Sequence, residues 1–190
     1  TEWYRSRSQK TDLTLYAKAN IVLSDHWNGY VDVQYRTVGH LMQGTADKFL
    51  VLANDKSYSF FNPKFGLTHQ ISDQSKIFAS VSAGAKEPSR QDFIDNPTTA
   101  PKSEYLQDYE VGYQRNGSKY GFQLNGYFMD YQDQLVLTGA VNSVGEAIRT
   151  NAASSYRLGV EASLNYQISK HLLWNGNVTL SQNRIQNFKE

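Results

Sequence analysis

The sequence contains no cysteine among its 190 residues. Disulfide frameworks, thiolate zinc sites, iron–sulfur clusters and cysteine nucleophiles are therefore excluded. It also lacks an excess of charge of either sign, because 19 Lys and Arg residues balance 18 Asp and Glu residues to a formal net charge of +1. A nucleic-acid-binding protein usually carries a basic patch, so this balance argues against a nucleic-acid partner.

Two membrane signals are absent as well. No stretch approaches the roughly 20 consecutive apolar residues that a membrane-spanning helix needs. The polar start, Thr1–Lys10, has no secretory signal pattern, which we expect if the sequence is an internal piece of a longer protein. A transmembrane β-barrel remains possible, because its strands need only about 10 residues and one of their faces is polar.

The sequence shows little that indicates catalysis or metal binding. The four histidines do not fall at metal-ligand spacings; they are His26, His40, His69 and His171. No serine lies in a nucleophile elbow, and no paired-carboxylate signature is present. We therefore predict that the chain is not an enzyme and that it has neither a cofactor nor a metal site.

What the sequence does contain is a period of two. From Tyr156 to Ile168, apolar or aromatic residues alternate without exception with the six residues Arg157, Gly159, Glu161, Ser163, Asn165 and Gln167. Successive side chains of a β-strand point to opposite faces of the sheet. The segment therefore predicts a strand with one apolar and one polar face.

The same alternation recurs along the whole chain. It predicts eight strands, at about 11–23, 29–39, 58–71, 76–87, 105–115, 120–138, 154–168 and 172–185. Several exceed the ~5–6 residues usual in globular sheets, and strands of this length cross the ~25 Å apolar band of an outer-membrane barrel. The predicted fold class is all-β, an antiparallel up-and-down β-barrel.

The predicted connections alternate in length. Short turns fall at 24–28, 72–75, 116–119 and 169–171, and long connections at 40–57, 88–104 and 139–153. The third long connection can also be read as a strand extension with a hairpin tip at Asn142–Gly145. Strict alternation is typical of a membrane barrel, which has tight periplasmic turns and longer extracellular loops.

Three features favour a membrane barrel over a soluble one. The polar face carries charges near strand centres, for example Asp32, Arg36 and Lys64. It also carries small residues such as Gly66 and Gly112, which are unusual on a solvated sheet surface. Aromatic residues cluster toward strand ends, as in the interfacial girdles of outer-membrane barrels.

Four segments together resemble a known family. In chain order they are NPKFGL (62–67), EPSRQDF (87–93), DYEVGY (108–113) and RLGVEAS (157–163). Each is weak alone, but their order and spacing resemble the C-terminal part of the β-barrel of TonB-dependent outer-membrane receptors. The resemblance covers about residues 58–185, and residues 1–57 fit as the preceding strands.

The resemblance implies a function as well as a fold. Such receptors have a transmembrane barrel of about 22 strands closed by a plug, lie in the bacterial outer membrane and import scarce solutes such as ferric siderophores with energy supplied through TonB. No plug, TonB box or closing C-terminal strand is recognisable here. Residues 1–190 are therefore expected to form a partial barrel domain of about eight strands, with outer-membrane lipid, the protein's own plug, TonB and a small solute as partners.

Two groups of charged residues are the candidate contacts that follow from this resemblance. Where a strand enters a long loop, the candidates are Lys86, Glu87, Arg90 and Asp92. These residues either touch solute or plug at the extracellular mouth or form a salt-bridged rim that orders the loop. On the polar face, the candidates are Glu110, Arg157 and Glu161. These either pair across neighbouring strands or contact the plug.

Two alternatives stay open at this point. Eight strands also suffice for a complete small outer-membrane barrel with a structural or adhesion role. A soluble ligand-binding β-barrel would turn the apolar face inward instead. The three hypotheses differ in whether the sheet closes on itself and in which face meets lipid.

Overall fold

A computed structural model describes residues 5–46 and 50–186, and these form long strands with one short helix. In chain order the elements are β1 (Arg5–Val22), β2 (Trp27–Thr45), β3 (Val51–Ser72), β4 (Ser75–Lys86), α1 (Arg90–Asp95), β5 (Glu104–Asn116), β6 (Tyr120–Val141), β7 (Ala147–Ser169) and β8 (Leu172–Gln186). The prediction of eight strands and an all-β fold is confirmed.

The strands form a single antiparallel sheet in which each strand pairs with the next along the chain, in the order β1 to β8. Within the described residues, β1 and β8 are the two edges and do not pair with each other. The sheet is therefore open, as expected for part of a larger barrel. A complete eight-stranded barrel would need a hydrogen-bonded seam between these two strands.

The connections define two ends of the sheet. At the turn end, β1–β2, β3–β4, β5–β6 and β7–β8 are joined by a few residues each, as predicted. At the loop end, β2 and β3 pair as far as Thr45 and Val51, β6 and β7 are joined by a short turn, and β4 and β5 by a longer connection that contains α1. Among residues 5–46 and 50–186, no helix is long and apolar enough to cross a membrane.

The first predicted long connection is wrong as a loop, and the third has its alternative form, a strand extension. β2 continues to Thr45 and β3 already begins at Val51, while β6 continues to Val141 and β7 begins at Ala147. The tip predicted at Asn142–Gly145 is indeed the turn of the β6–β7 hairpin. Residues 47–49 of the first connection lie outside the described residues. The prediction that no closing strand ends the chain concerns residues 187–190, which also lie outside them.

The extension of β2 and β3 was missed for a physical reason. Ladder hydrogen bonds join backbone groups and do not depend on the side chains. Near the loop end, both faces of the β2–β3 hairpin are partly polar, with Gln43 and Asp55 on one face and Lys56 on the other. Without a one-sided apolar pattern, alternation no longer reports the strand.

One face of the sheet is apolar across most of its strands. Register places Ala19, Val31, Phe65, Val81, Tyr109, Phe128 and Leu158 in one row from β1 to β7. These rings and branched side chains are not covered by any other element in the described part of the chain, and Leu158 is 48% exposed. A continuous exposed apolar patch of this extent marks a surface made for lipid or another apolar partner.

The opposite, polar face has glycines under aromatic rings. Tyr30 lies across from Gly66, Phe78 from Gly112, and Tyr127 from Gly159. A Cβ at Gly66 would lie only 2.1 Å from the Tyr30 ring, so the ring occupies the space that a side chain would fill. The small residues noted on this face in the sequence therefore accommodate large neighbours in the adjacent strand.

Gly44 is the glycine with the largest expected substitution effect. Its φ is +101°, and a Cβ there would lie 2.2 Å from the carbonyl oxygen of Arg5. We expect Gly44→Ala to destabilise the protein by about 2–4 kcal/mol, since the left-handed backbone and the collision both act against it. Urea unfolding in detergent micelles measures this loss.

Gly139→Ala is the matched control, because Gly139 also has a positive φ, +83°, but no atom within 4 Å of its Cβ position. Only the backbone cost of about 1–2 kcal/mol applies there. Equal losses for the two variants would show that the collision with Arg5 does not matter.

Candidate functional site

The connection between β4 and β5 folds over the polar face instead of projecting away from the sheet. We call residues 87–97, which include α1, the strap. Glu87 reaches Lys10 of β1 and Arg36 of β2, and Phe93 packs with Met42 of β2 and Leu52 of β3. The strap therefore crosses the polar face of β1, β2 and β3 near the loop end.

Local sequence explains why α1 forms inside the strap. Ser89 is the N-cap, and its Oγ accepts a hydrogen bond from the Asp92 amide while the Asp92 carboxylate accepts one from the Ser89 amide at 2.7 Å. This reciprocal capping box satisfies two amides that the helix start would leave unpaired. At the other end, Asn96 donates to the carbonyl oxygens of Asp92 and Arg149, which ties the strap to β7.

Glu87 is the centre of an ion-pair network that joins the strap to the sheet. Its side chain is 4% exposed. The Arg36 guanidinium donates to both carboxylate oxygens, at 2.9 and 3.0 Å, and Lys10 Nζ donates to Oε1 at 2.5 Å. The Nε and Nη2 groups of the same guanidinium donate to Asp12, the latter at 2.6 Å. Each charge of the network therefore has an opposite charge in contact, which a buried carboxylate needs.

The pKa of the Glu87 carboxyl lies below its usual range. Burial acts to raise this pKa, but hydrogen bonds from Lys10, from the backbone of Glu87 and from Arg36 outweigh burial. Hydrogen bonds to the charged form of an acid always act in this direction. Glu87 is accordingly an ionised carboxylate at neutral pH, and its ion pairs are intact.

Next to the network, the strap is fastened by apolar packing. Met42, Ala46, Leu52 and Phe93 form a buried cluster, with Leu50 and Ile94 against it. The ring of Phe93 also stands edge-on to His40 at a centroid distance of 6.5 Å. His40 Nε2 lies 3.0 Å from Ser8 Oγ of β1. The strap is thus held by a charged contact at its start and an apolar contact at its helix.

A cleft opens at the loop end between the strap, the start of β3 and the tip of the β6–β7 hairpin. It has a volume of about 880 Å³. Leu50 lines it just before β3 and Val51 as the first residue of β3, Ile94 and Asp95 line it from α1, and Val144 from the β6–β7 tip. Its wall is mainly apolar with a few polar groups, the character of a pocket for a small molecule.

The first group of predicted site residues is brought together only in part. Glu87 pairs with β1 and β2, as described above, and Asp92 caps α1. Arg90 donates to Ser6 Oγ at 2.6 Å and also lines the cleft. Lys86 is the last residue of β4, pairs in register with Glu104 and is exposed.

The second predicted group lies on the polar face of β5 and β7. Ser80 Oγ donates to Glu110 at 3.4 Å, and the Arg157 guanidinium lies 5.2 Å from the centre of the Tyr131 ring. Within residues 5–46 and 50–186, none of the ion pairs includes Glu110, Arg157 or Glu161. Pairing of these three residues across neighbouring strands is therefore not observed.

Sequence reasoning missed the partners of the strap. Arg36 was placed on the polar face, but its contact with Glu87 spans 51 residues and that of Lys10 spans 77. One local signal was available, because Ser89-x-x-Asp92 matches the capping pattern of a helix start. No group of three or more His, Asp or Glu side chains in the described ranges is placed to hold a metal ion.

Comparison with known proteins gives one family and one fold. A family model described as "TonB dependent receptor-like, beta-barrel" matches residues 2–189. No curated protein sequence matches the chain. Several solved structures are similar in fold at low sequence identity.

Three of these structures illustrate the likeness. The FrpB iron transporter from Neisseria meningitidis (F3-3 variant) has a TM-score of 0.72 at 20% identity over 96% of this chain. The copper transporter OprC has a TM-score of 0.76 at 12% identity over 94% of this chain. The ferric yersiniabactin uptake receptor FyuA from Yersinia pestis has a TM-score of 0.67 at 15% identity over 94% of this chain. The chain spans 27%, 29% and 28% of the length of these three solved chains.

Proposed function

Because the chain belongs to the TonB-dependent receptor β-barrel family, we propose that it is one section of the barrel wall of a bacterial outer-membrane transporter. In this assignment the apolar face meets lipid, the polar face lines the lumen, and the loop end faces the outside. Residues 1–190 are one partial barrel domain, and the plug and the TonB contact belong to other parts of a longer protein. The chain contributes binding and passage, not catalysis.

The observation that carries this proposal is that one face of the sheet is apolar and the other is polar. An unbroken apolar row crosses β1 to β7 on one face, while the strap and its charged network lie on the other. A wall between lipid and a water-filled lumen requires that arrangement. A soluble barrel would place its apolar row inside and would have no reason to leave Leu158 and Phe65 about half exposed.

For the solute we propose a ferric siderophore. Iron transport and ferric yersiniabactin uptake are stated for two of the structures with the same fold, and copper transport for a third. A cleft of about 880 Å³ is large enough for a molecule of several hundred daltons. Arg90 and Asp95 supply charged groups at its wall.

The predicted site residues receive the following roles in this proposal. Lys86 and Arg90 face the solute at the mouth, while Glu87 and Asp92 hold the strap that forms one wall of the cleft. Glu110, Arg157 and Glu161 line the lumen lower down and contact the plug. Outer-membrane lipid surrounds the apolar face.

Deleting the gene and restoring it tests the proposal. We expect the deletion strain to lose uptake of at least one ⁵⁵Fe-labelled siderophore from a panel of hydroxamates and catecholates, and the full-length gene to restore it. A protonophore should abolish the restored uptake, because TonB draws on the proton-motive force. Unchanged uptake of every iron complex in the panel would contradict the assignment of ferric siderophores.

A variant pair connects uptake with the cleft. Val144 lines the cleft and is 76% exposed, whereas Val22 lies at the turn end and is 79% exposed. We expect Val144→Arg to weaken siderophore binding about tenfold, since a charge then enters an apolar wall. Val22→Arg should leave binding within twofold of the native value, and equal effects of the two changes would place the binding site elsewhere.

A further inference from the structure

The strap lies where it obstructs the upper lumen. It starts at the end of β4, yet its contacts extend past the adjacent β3 to β1 and β2, and reach β7 on the other side. A connection that crosses the inside of a barrel wall in this way narrows the mouth. Any solute that travels along the polar face of β1–β3 has to displace it.

Two features make the charged contact of the strap an all-or-none fastening. Glu87 is nearly inaccessible to water, so its carboxylate is stable in place only while its cations remain on it. Asp12 also accepts from Nε and Nη2 of Arg36, which keeps the Nη1–Nη2 edge of the guanidinium oriented toward Glu87 of the strap. Partial withdrawal of the strap would leave a buried charge unpaired, and so the favourable states are fully fastened and fully released.

We propose that Glu87 is a positioning residue whose ion pairs with Arg36 and Lys10 latch the strap across the upper lumen, so that the polar face beneath it opens only when the latch breaks. The transport role of this opening rests on the proposed function. The latch itself is a property of the fold and is tested without any solute.

Hydrogen exchange reads the latch directly. We compare the native full-length protein with Glu87→Gln and with Asp55→Asn, both in detergent micelles, and follow the amides of residues 87–97. Asp55 is the matched control, because it is an exposed carboxylate of β3 near the loop end with no ion pair in the described residues. Glu87→Gln should speed exchange of the strap at least about tenfold, while Asp55→Asn leaves it within twofold.

Thiol labelling tests whether release uncovers the lumen wall. Val38 is 1% exposed and lies between Arg36 and His40 on the polar face of β2. Residues 1–190 contain no cysteine, so Val38→Cys provides the only thiol of this segment, and any cysteine elsewhere in the full-length protein is replaced by serine beforehand. Its reaction with a water-soluble maleimide should be slow in the native background, about tenfold faster with Glu87→Gln and unchanged with Asp55→Asn.

A milder variant tests the latch in case Glu87→Gln does not fold. Lys10→Met leaves Arg36 on Glu87 and should give intermediate rates of exchange and labelling. Heat-modified gel mobility confirms that each variant keeps its barrel. The proposal is overturned if folded Glu87→Gln shows native exchange in residues 87–97, or if Val38→Cys labels at the same slow rate in every background. Neither outcome bears on siderophore uptake, so failure of the latch remains distinct from failure of the transport assignment.

Discussion

Replacing Val81 with lysine is expected to destabilise the membrane-inserted barrel, whereas lysine at the adjacent residue, Ser82, is tolerated. Val81 lies midway along β4 in the apolar row, between Phe65 and Tyr109. A lysine near the bilayer midplane costs about 2–4 kcal/mol on the lipid face of a barrel. Ser82 points to the other face, where its register partners are Lys64 and Asp108.

The two substituted residues are neighbours in the chain, but their side chains lie on opposite faces of the barrel wall. Refolding of the full-length protein into lipid vesicles, followed by heat-modified gel mobility and urea titration, compares them directly. We expect Val81→Lys to lose stability by at least about 2 kcal/mol relative to Ser82→Lys. The opposite order would assign the polar face to lipid and reverse the proposed orientation of the wall.

Removing Arg36, one of the two cations that pair with Glu87, is the second change with a large expected effect. Arg36→Met leaves the carboxylate buried with Lys10 as its remaining partner. Breaking a fully buried pair costs about 3–5 kcal/mol. Because Arg36 is partly exposed and Lys10 stays, we expect a loss of about 2 kcal/mol in the free energy of strap opening, measured from hydrogen exchange of residues 87–97.

An exposed ion pair provides the control for this experiment. Lys102 pairs with Asp133 at 3.2 Å and is 69% exposed, so Lys102→Met should cost only about 0–1 kcal/mol. The double variant Arg36→Met with Glu87→Leu removes both charges and should regain most of the lost free energy. A double variant as unstable as the sum of the single variants would mean that the two side chains act independently.

The fold could be predicted from the sequence because its determinants are local and periodic. The alternation at Tyr156–Ile168 specifies a strand and its two faces without reference to any other segment. The turn residues at 116–119 similarly specify a tight connection. Strand number, strand order and the apolar row follow from these local rules, and the structure confirms them.

The site could be predicted only in part, because its contacts are not local. Glu87 was singled out as charged and near a loop, but nothing in EPSRQDF indicates that this carboxylate is buried against Arg36 and Lys10. Lys86, a charged residue one position earlier, remains exposed. Burial of a charge depends on which surfaces meet in space, and one-dimensional patterns carry no such information.

By itself, the sequence determined that this chain is a row of long antiparallel strands with one apolar and one polar face. Periodic side chains and backbone hydrogen bonds between neighbouring strands suffice for that. Only the tertiary structure decided that the β4–β5 connection turns inward and lies across β1–β3. The physical reason is that this position is stabilised by two contacts between residues far apart in the sequence. The Glu87 carboxylate pairs with the cations of β1 and β2, and Phe93 packs in the apolar cluster around Met42.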